Sequence, residues 1–174
     1  MAHMAAQTPH RLLSTLPLLC CAMAGSAGAT STDPALEAQL LRLATCEDSW
    51  LEWKSDRPRL QRFATALHEQ FSAEPKSPAM KPKRPTRLMG LAVTQLFPDS
   101  VGMGLGFSVM LQADLQQARQ RFEAQLGRPL NCETGDGMVA CELPLGENKT
   151  AMLVNGDKGH GPTSLLGCFY FYQQ

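Results

Sequence analysis

Apolar residues recur every three or four positions in three stretches of the chain, the spacing that places them on one face of an α-helix. The first stretch begins at Pro34 and ends near Cys46. The second follows Asp56 as its N-cap, and the third lies between Asp114, its N-cap, and Gly127, which suits a left-handed C-terminal turn. Their apolar positions are Leu36, Leu40, Leu41 and Leu43; Leu60, Phe63, Ala64, Leu67 and Phe71; and Leu115, Ala118, Phe122 and Leu126.

Elsewhere the period changes to two, which is typical of strands. Residues 87–97 predict one strand, and the stretch VGMGLGFSVML, residues 101–111, predicts another, because its odd-numbered residues are all apolar. The even-numbered positions are mostly small: Gly102, Gly104, Gly106 and Ser108. A dinucleotide loop would need G-x-G-x-x-G at the start of a helix, whereas these glycines fall at every second position. We therefore interpret the stretch as a strand in which one face carries no large side chains.

The glycines on this face require an explanation, since each glycine inside a strand lowers stability by roughly 0.5–1 kcal/mol relative to alanine. One explanation is the close approach of another backbone, such as a helix that lies across the sheet. The other is that Gly102, Gly104 and Gly106 form the floor of a groove or an intermolecular contact. The sequence leaves both explanations open.

Four further strands are predicted at residues 130–134, 138–143, 150–155 and 165–172. The helices and strands are segregated along the chain, which favours an antiparallel α+β domain. The expected fold is an N-terminal helical pair followed by a ββαββββ antiparallel sheet that packs on a helix and is stapled by disulfides.

The first 29 residues are typical of a signal peptide. An apolar run, residues 12–24, precedes the small-residue motif Ala27-Gly28-Ala29, so cleavage is expected after Ala29. The run is shorter than the roughly 20 apolar residues that span a bilayer. Cys20 and Cys21 suggest lipidation as a minor alternative, although Leu19 stands where a small residue is normal. The mature protein is therefore expected in the periplasm or outside the cell, without a transmembrane segment.

Cleavage leaves about 145 residues, the size of one domain, with 15 basic residues against 16 acidic ones. This balance gives no reason to expect bulk attraction to nucleic acid. We expect a helical segment, residues 30–71, and an α+β core, residues 88–174, to form one domain. Residues 72–87 hold four prolines and five basic residues, which favours a solvated linker. Alternatively Lys81, Lys83 and Arg84 form a basic strap that contacts an acidic partner or anionic headgroups.

The four cysteines of the mature chain predict two disulfides. A two-residue turn at Asp136-Gly137 makes Cys132 and Cys141 a non-hydrogen-bonded pair, whose Cα atoms are expected about 4.5 Å apart. By elimination Cys46 pairs with Cys168 and ties the helical segment to the last strand. Redox catalysis would favour a C-x-x-C motif, which this chain lacks, so both bonds are interpreted as structural.

Candidate chemistry is sparse. Asp157 and His160 lie in a glycine-rich loop, but two side chains make neither a metal site nor a catalytic set, and no cofactor or metal is predicted. Trp50 and Trp53 are either a core plug or an exposed anchor for a partner. Tyr170 and Tyr172 share one face of the last strand, under a helix or at an interface.

These features favour an exported binding protein that is not an enzyme. An inhibitor or immunity protein for an envelope enzyme would be one example of such a protein. The candidate interaction surface comprises Trp50, Trp53, Lys81, Lys83, Arg84, Asp157, His160, Tyr170 and Tyr172. The alternative is a carrier of a small apolar ligand above the glycine floor. A hydrolase that uses His160 with Asp157 is a minor third hypothesis.

Overall fold

The computed structural model describes residues 33–99, 105–155 and 161–171. Within these ranges lie four helices: α1 (Pro34–Ala44), α2 (Trp50–Ser55), α3 (Arg57–Gln70) and α4 (Leu115–Leu126). The same ranges contain nine strands: β1 (Phe71–Ala73), β2 (Met80–Pro82), β3 (Arg87–Leu88), β4 (Leu91–Phe97), β5 (Leu105–Leu111), β6 (Asn131–Gly135), β7 (Met138–Pro144), β8 (Lys149–Asn155) and β9 (Ser164–Tyr170). The predicted signal peptide lies outside the described residues.

The strands form one antiparallel sheet in the order β1-β2-β4-β5-β9-β8-β7-β6, with β3 paired to β4. Buried side chains from all four helices join a single apolar cluster with one face of this sheet, for example Leu40, Phe63 and Phe122 with Phe107 and Leu166. The helices therefore cover one face of the sheet, and the predicted α+β fold is confirmed. No helix in the described ranges is long and apolar enough to cross a bilayer.

Each helix begins where a short polar side chain accepts a hydrogen bond from a first-turn N–H, as capping requires. The donating N–H group lies two or three residues after the accepting side chain. The accepting side chains and their donors are Asp33 and Ala35 (2.9 Å), Ser49 and Glu52 (3.3 Å), Asp56 and Arg59 (3.0 Å), and Asp114 and Gln117 (2.8 Å). Asp56 also ends α2, so two helices meet at one residue. The sequence pattern predicted only the second of them.

The proline-rich segment differs from the expected linker, because part of it pairs into the sheet. β1 and β2 form an antiparallel hairpin, and Met80 of β2 pairs with Leu96 of β4. Pro75 and Pro78 lie between the strands and Pro82 ends β2, positions at which a missing N–H is tolerated. The hairpin is anchored because Met80 is buried in the core beneath the helices.

Residues 87–97 contain two strands instead of the single predicted one. The chain reverses at Met89 (φ 54°) and Gly90 (φ 78°), between β3 and β4. Two consecutive left-handed residues are typical of the type I′ turn that joins strands in a hairpin. The sequence signal for this turn was weak because methionine is not a typical turn residue.

The disulfides have the predicted partners. Cys132 and Cys141 face each other across the β6–β7 hairpin with Cα atoms 3.9 Å apart, and Asp136 and Gly137 form its turn with positive φ angles. Cys46 is bonded to Cys168 of β9 across 122 residues of sequence, with Cα atoms 5.1 Å apart. The second bond joins the end of α1 to the middle of the sheet.

Glu123 anchors the end of α4 to the chain that leads into β6. Its carboxylate accepts hydrogen bonds from the Leu130 N–H (2.8 Å) and from Nε of Arg119 (2.8 Å). Partial burial raises the pKa of this carboxyl, but the Leu130 N–H and the Arg119 guanidinium together outweigh that effect, so the pKa lies below its ordinary value.

Candidate functional site

A groove of about 320 Å³ runs along the surface between α1 and α3, and we call it the helical groove. Its walls are single stripes of each helix: positions 35, 36, 39 and 42 on α1, and positions 59, 62, 63 and 66 on α3. Residues three and four apart share a helix face, so two facing stripes form a continuous channel. Trp53 of α2 closes the channel from below.

The floor of the helical groove is apolar and the rim is cationic. Leu36, Trp53 and Phe63 form the floor and are only 1–2% exposed. Three arginines, Arg42, Arg59 and Arg62, stand along the rim. Arginine is enriched at protein-binding hot spots, and here the arginines, not the buried floor, present the accessible surface.

Asp48, in the loop after α1, holds two of these guanidinium groups in place. Its Oδ2 lies 3.1 Å from Nε of Arg42 and 3.2 Å from an Nη atom of Arg59. The Arg59 guanidinium also lies over the Trp53 ring, 4.0 Å from its centroid. Half-exposed ion pairs contribute little to stability, but here they fix the orientation of one arginine from each wall.

Arg62 differs from its neighbours, because it has no ion-pair or hydrogen-bond partner among the described residues. Asp33 also lines the groove, and its side chain caps α1. Counting Asp33 and Asp48 against the three arginines leaves one net positive charge. The helical groove can therefore attract a single anionic group above an apolar floor.

Both tryptophans are buried in the core, and Trp53 also lies at the base of the helical groove. Trp50 is 5% exposed, and its ring contacts Phe63 and Phe107 at centroid distances of 6.0 and 5.8 Å. Trp53 contacts Phe63 edge to face at 5.1 Å. The exposed-anchor interpretation therefore fails for both indoles, because side chains from α3 and β5 enclose them.

Tyr170 must also be removed from the predicted interaction surface. It is 7% exposed, and its hydroxyl oxygen accepts a hydrogen bond from the Trp50 backbone N–H at 3.0 Å. This bond joins the start of α2 to β9, next to the disulfide at Cys168. Tyr170 therefore has a structural role beneath the helices, which was one of the two predicted alternatives.

Two of the three strap residues are engaged within the protein. Lys81 forms an ion pair with Glu74, and Lys83 donates a hydrogen bond to the carbonyl of His68. Arg84 is exposed. A contact with an acidic partner stays a prediction for Arg84, while the lysines serve first to hold the β1–β2 hairpin.

The glycine-lined strand face is explained by close strand pairing where the structure describes it. A Cβ on Gly106 would clash with the carbonyl oxygen of Cys168, and one on Gly167 would clash with the Phe107 carbonyl and with Ser108. The close backbone therefore belongs to the neighbouring strand, and not to a helix that lies across the sheet. Gly102 and Gly104 lie outside the described residues.

Gly167→Ala is expected to lower the free energy of unfolding by about 1–3 kcal/mol, because the added methyl group displaces the backbone of β5. Gly135→Ala is the matched control, since nothing lies within 4 Å of a Cβ there. Urea denaturation of both variants checks the prediction. Equal stability of the two variants would show that β5 and β9 are not in close contact.

Three residues of the predicted interaction surface, Asp157, His160 and Tyr172, lie outside the described residues. Within residues 33–99, 105–155 and 161–171, no three His, Cys, Asp or Glu side chains come together as a metal site would require. The rim arginines were not among the predicted site residues. The sequence signal for them was the pair Arg59 and Arg62, three residues apart on a predicted helix.

No family model, no curated protein and no solved structure matches this chain. Its function has to be inferred from its own residues.

Proposed function

We propose that this chain is an exported binding protein that recognises a protein partner through the helical groove, in the manner of an inhibitor or immunity protein of an envelope enzyme. The helical groove carries this proposal, since it is a concave surface with three arginines along its rim. Its volume is that of a pocket for one or two side chains. The proposed activity is binding, without a catalytic step.

Export is supported by two features. The apolar run at residues 12–24, followed by Ala27-Gly28-Ala29, is typical of a cleaved leader. The two disulfides, Cys46–Cys168 and Cys132–Cys141, are of the kind that persists in oxidising compartments. We propose the periplasm or the extracellular space as the location of the mature protein.

Site-specific photo-cross-linking in the source cells tests this function. Gln39 on the wall of the groove is replaced by a photoreactive phenylalanine analogue, and the exposed Gln125 on α4 is the matched control. The proposal predicts one discrete protein adduct from position 39, none from position 125, and loss of the adduct in an Arg62→Glu background. Similar adducts from both positions, or none from position 39, would contradict it.

A second candidate function, the transport of a small apolar ligand, is favoured by the opposite face of the sheet. A second apolar cluster lies there, to which only strands contribute: Phe97, Met110, Ala140, Met152, Val154, Leu165 and Phe169. Ser108 points to the same face, and its buried hydroxyl has no hydrogen-bond partner. An unpartnered buried hydroxyl is costly and is an available anchor for a ligand.

Native mass spectrometry of protein purified from its own cells distinguishes the two functions. A carrier retains a bound small molecule, so its measured mass exceeds that of the disulfide-bonded chain. The leading proposal predicts the mass of the chain alone.

A further inference from the structure

We infer that the free edge of β6 binds an extended, cationic segment of another protein. The segment adds to the sheet as a further strand and presents a lysine or arginine side chain to Glu133 and Glu142. This edge is separate from the helical groove, so the inference goes beyond the proposed function. The edge is accessible, since Asn131, Glu133 and Thr134 are all exposed.

The backbone of β6 carries hydrogen-bonding groups that no neighbouring strand uses. β6 is the last strand of the sheet and pairs only with β7. Because Gly135 and Met138 close the two-residue turn as a hydrogen-bonded pair, Cys132 and Thr134 occupy non-hydrogen-bonded positions. Their N–H and C=O groups therefore point away from β7. None of these groups has a hydrogen-bond partner within the part of the chain that the structure describes.

The edge of β6 is continuous and rigid. Its register with β7 is unbroken from Asn131 to Gly135, without the proline or β-bulge that often protects an exposed strand from pairing. Most side chains of β6 are exposed, yet the Cys132–Cys141 bond fixes the strand to β7. An edge that is already ordered receives a further strand at a lower entropic cost.

The face of the β6–β7 hairpin that points away from the helices selects a cationic side chain. A hollow of about 170 Å³ lies on this face, lined by Asn131, Glu133, Ala140, Glu142 and Pro144. Neither Glu133 nor Glu142 has an ion-pair partner among the described residues. On an added strand, the residue opposite Glu133 has its Cβ about 5 Å away on the same face. A lysine or arginine at that position therefore reaches the carboxylates.

The same carboxylates disfavour a second copy of this chain as the occupant. If two β6 strands paired in antiparallel fashion about Glu133, the two Glu133 side chains would face each other directly. Shifted antiparallel registers still place Glu133 and Glu142 of both copies on one continuous face. Like charges on neighbouring strands are destabilising, whereas opposite charges stabilise the pair. A cationic segment of another protein is therefore the occupant that this edge fits.

Nuclear magnetic resonance of the ¹⁵N-labelled protein, with both disulfides intact, tests the inference. The probe is the acetylated and amidated peptide Val-Lys-Thr-Lys-Val, whose lysines lie on one face of a strand. We expect saturable shifts of the Cys132 and Thr134 amide signals, while the amide signal of Ser72, at the opposite edge of the sheet, stays unmoved. The charge-reversed peptide Val-Glu-Thr-Glu-Val should bind about tenfold more weakly or worse.

Backbone methylation of the probe shows whether the peptide binds as a strand. With the lysines facing Glu133 and Glu142, the N–H of the central threonine points at β6, and the N–H groups of the lysines point away. Methylation of the threonine nitrogen should therefore abolish binding, whereas methylation of a lysine nitrogen should change the Kd by less than about twofold. Equal effects of the two methyl groups would contradict the strand geometry.

A pair of variants tests the same hydrogen bond from the protein side. Thr134→Pro removes the N–H that points away from β7, at a position where proline is tolerated, and Thr134→Val keeps this N–H as the matched control. We expect the Kd for the lysine peptide to rise about tenfold in Thr134→Pro and to change less than about twofold in Thr134→Val. Both variants should retain the Cys132–Cys141 bond, as measured by mass spectrometry.

The double variant Glu133→Gln/Glu142→Gln tests the charge requirement, and its Kd for the lysine peptide should rise about fivefold. Equal binding of the lysine and glutamate peptides, or an absence of saturable shifts at Cys132 and Thr134, would overturn the inference. Shifts of these two amides that depend on protein concentration without any peptide would also overturn it, because they would assign the edge to a second copy of the chain.

Discussion

Replacement of both Cys46 and Cys168 by alanine is expected to lower the free energy of unfolding by about 4–5 kcal/mol, the largest effect of any change considered for this protein. The bond joins residues 122 positions apart, so it removes a large amount of conformational entropy from the unfolded chain. It also connects α1 to β9, and thus one wall of the helical groove to the sheet. Urea unfolding followed by tryptophan fluorescence measures the loss.

The second disulfide provides the control for this prediction. Cys132 and Cys141 are only nine residues apart, so their replacement by alanine should cost about 2–3 kcal/mol. The difference between the two double variants depends on loop length more than on the loss of sulfur atoms. An equal loss in both variants would contradict the role assigned to the long-range bond.

Phe63→Ala is expected to lower the free energy of unfolding by about 3–5 kcal/mol. The ring is 2% exposed and contacts Trp50, Trp53 and Phe107, with centroid distances between 5.1 and 6.2 Å. Its removal leaves a cavity that rigid neighbours from α2 and β5 cannot fill. Thermal and urea denaturation, followed by circular dichroism, measure the change.

Phe171→Ala is the matched control, because Phe171 is 40% exposed after the last strand. Its loss should cost less than about 1 kcal/mol. A small effect of Phe63→Ala, similar to that of the control, would show that the aromatic cluster does not hold the helices to the sheet.

Much of this fold could be predicted because its signals are local. The stripes of α1, α3 and α4 and the caps at Asp56 and Asp114 depend on neighbouring residues alone. The Asp136-Gly137 turn fixes the register of β6 and β7, and that register places Cys132 opposite Cys141. Once this pair was assigned, the other disulfide followed by elimination.

The β1–β2 hairpin was missed because proline content outweighed a single apolar anchor. Met80 and its neighbour Ala79 are the buried residues between the prolines, too short a run to predict a strand. The pairing partner of Met80, Leu96, lies in β4 and stabilises β2 only after the chain has folded. Short edge elements of this kind depend on tertiary contacts more than on local preference.

The helical groove could not be predicted, because it exists only where two helices lie side by side. Arg42 belongs to α1 and Arg62 to α3, and nothing in the local sequence brings the two together. The same holds for the tryptophans, whose burial depends on Phe63 and Phe107 from other elements. Local sequence patterns therefore predicted neither the groove nor the burial of the tryptophans, because both depend on tertiary packing.

The most direct test of the groove as the binding surface is the Kd for the partner that is cross-linked at position 39, measured with the parent protein and with Arg62→Glu. The account predicts an increase of about tenfold or more in Kd, since a carboxylate at position 62 repels the anionic group of the partner, with an unchanged free energy of unfolding. An unchanged Kd at equal stability would contradict the account, because the partner would then bind without the guanidinium of Arg62.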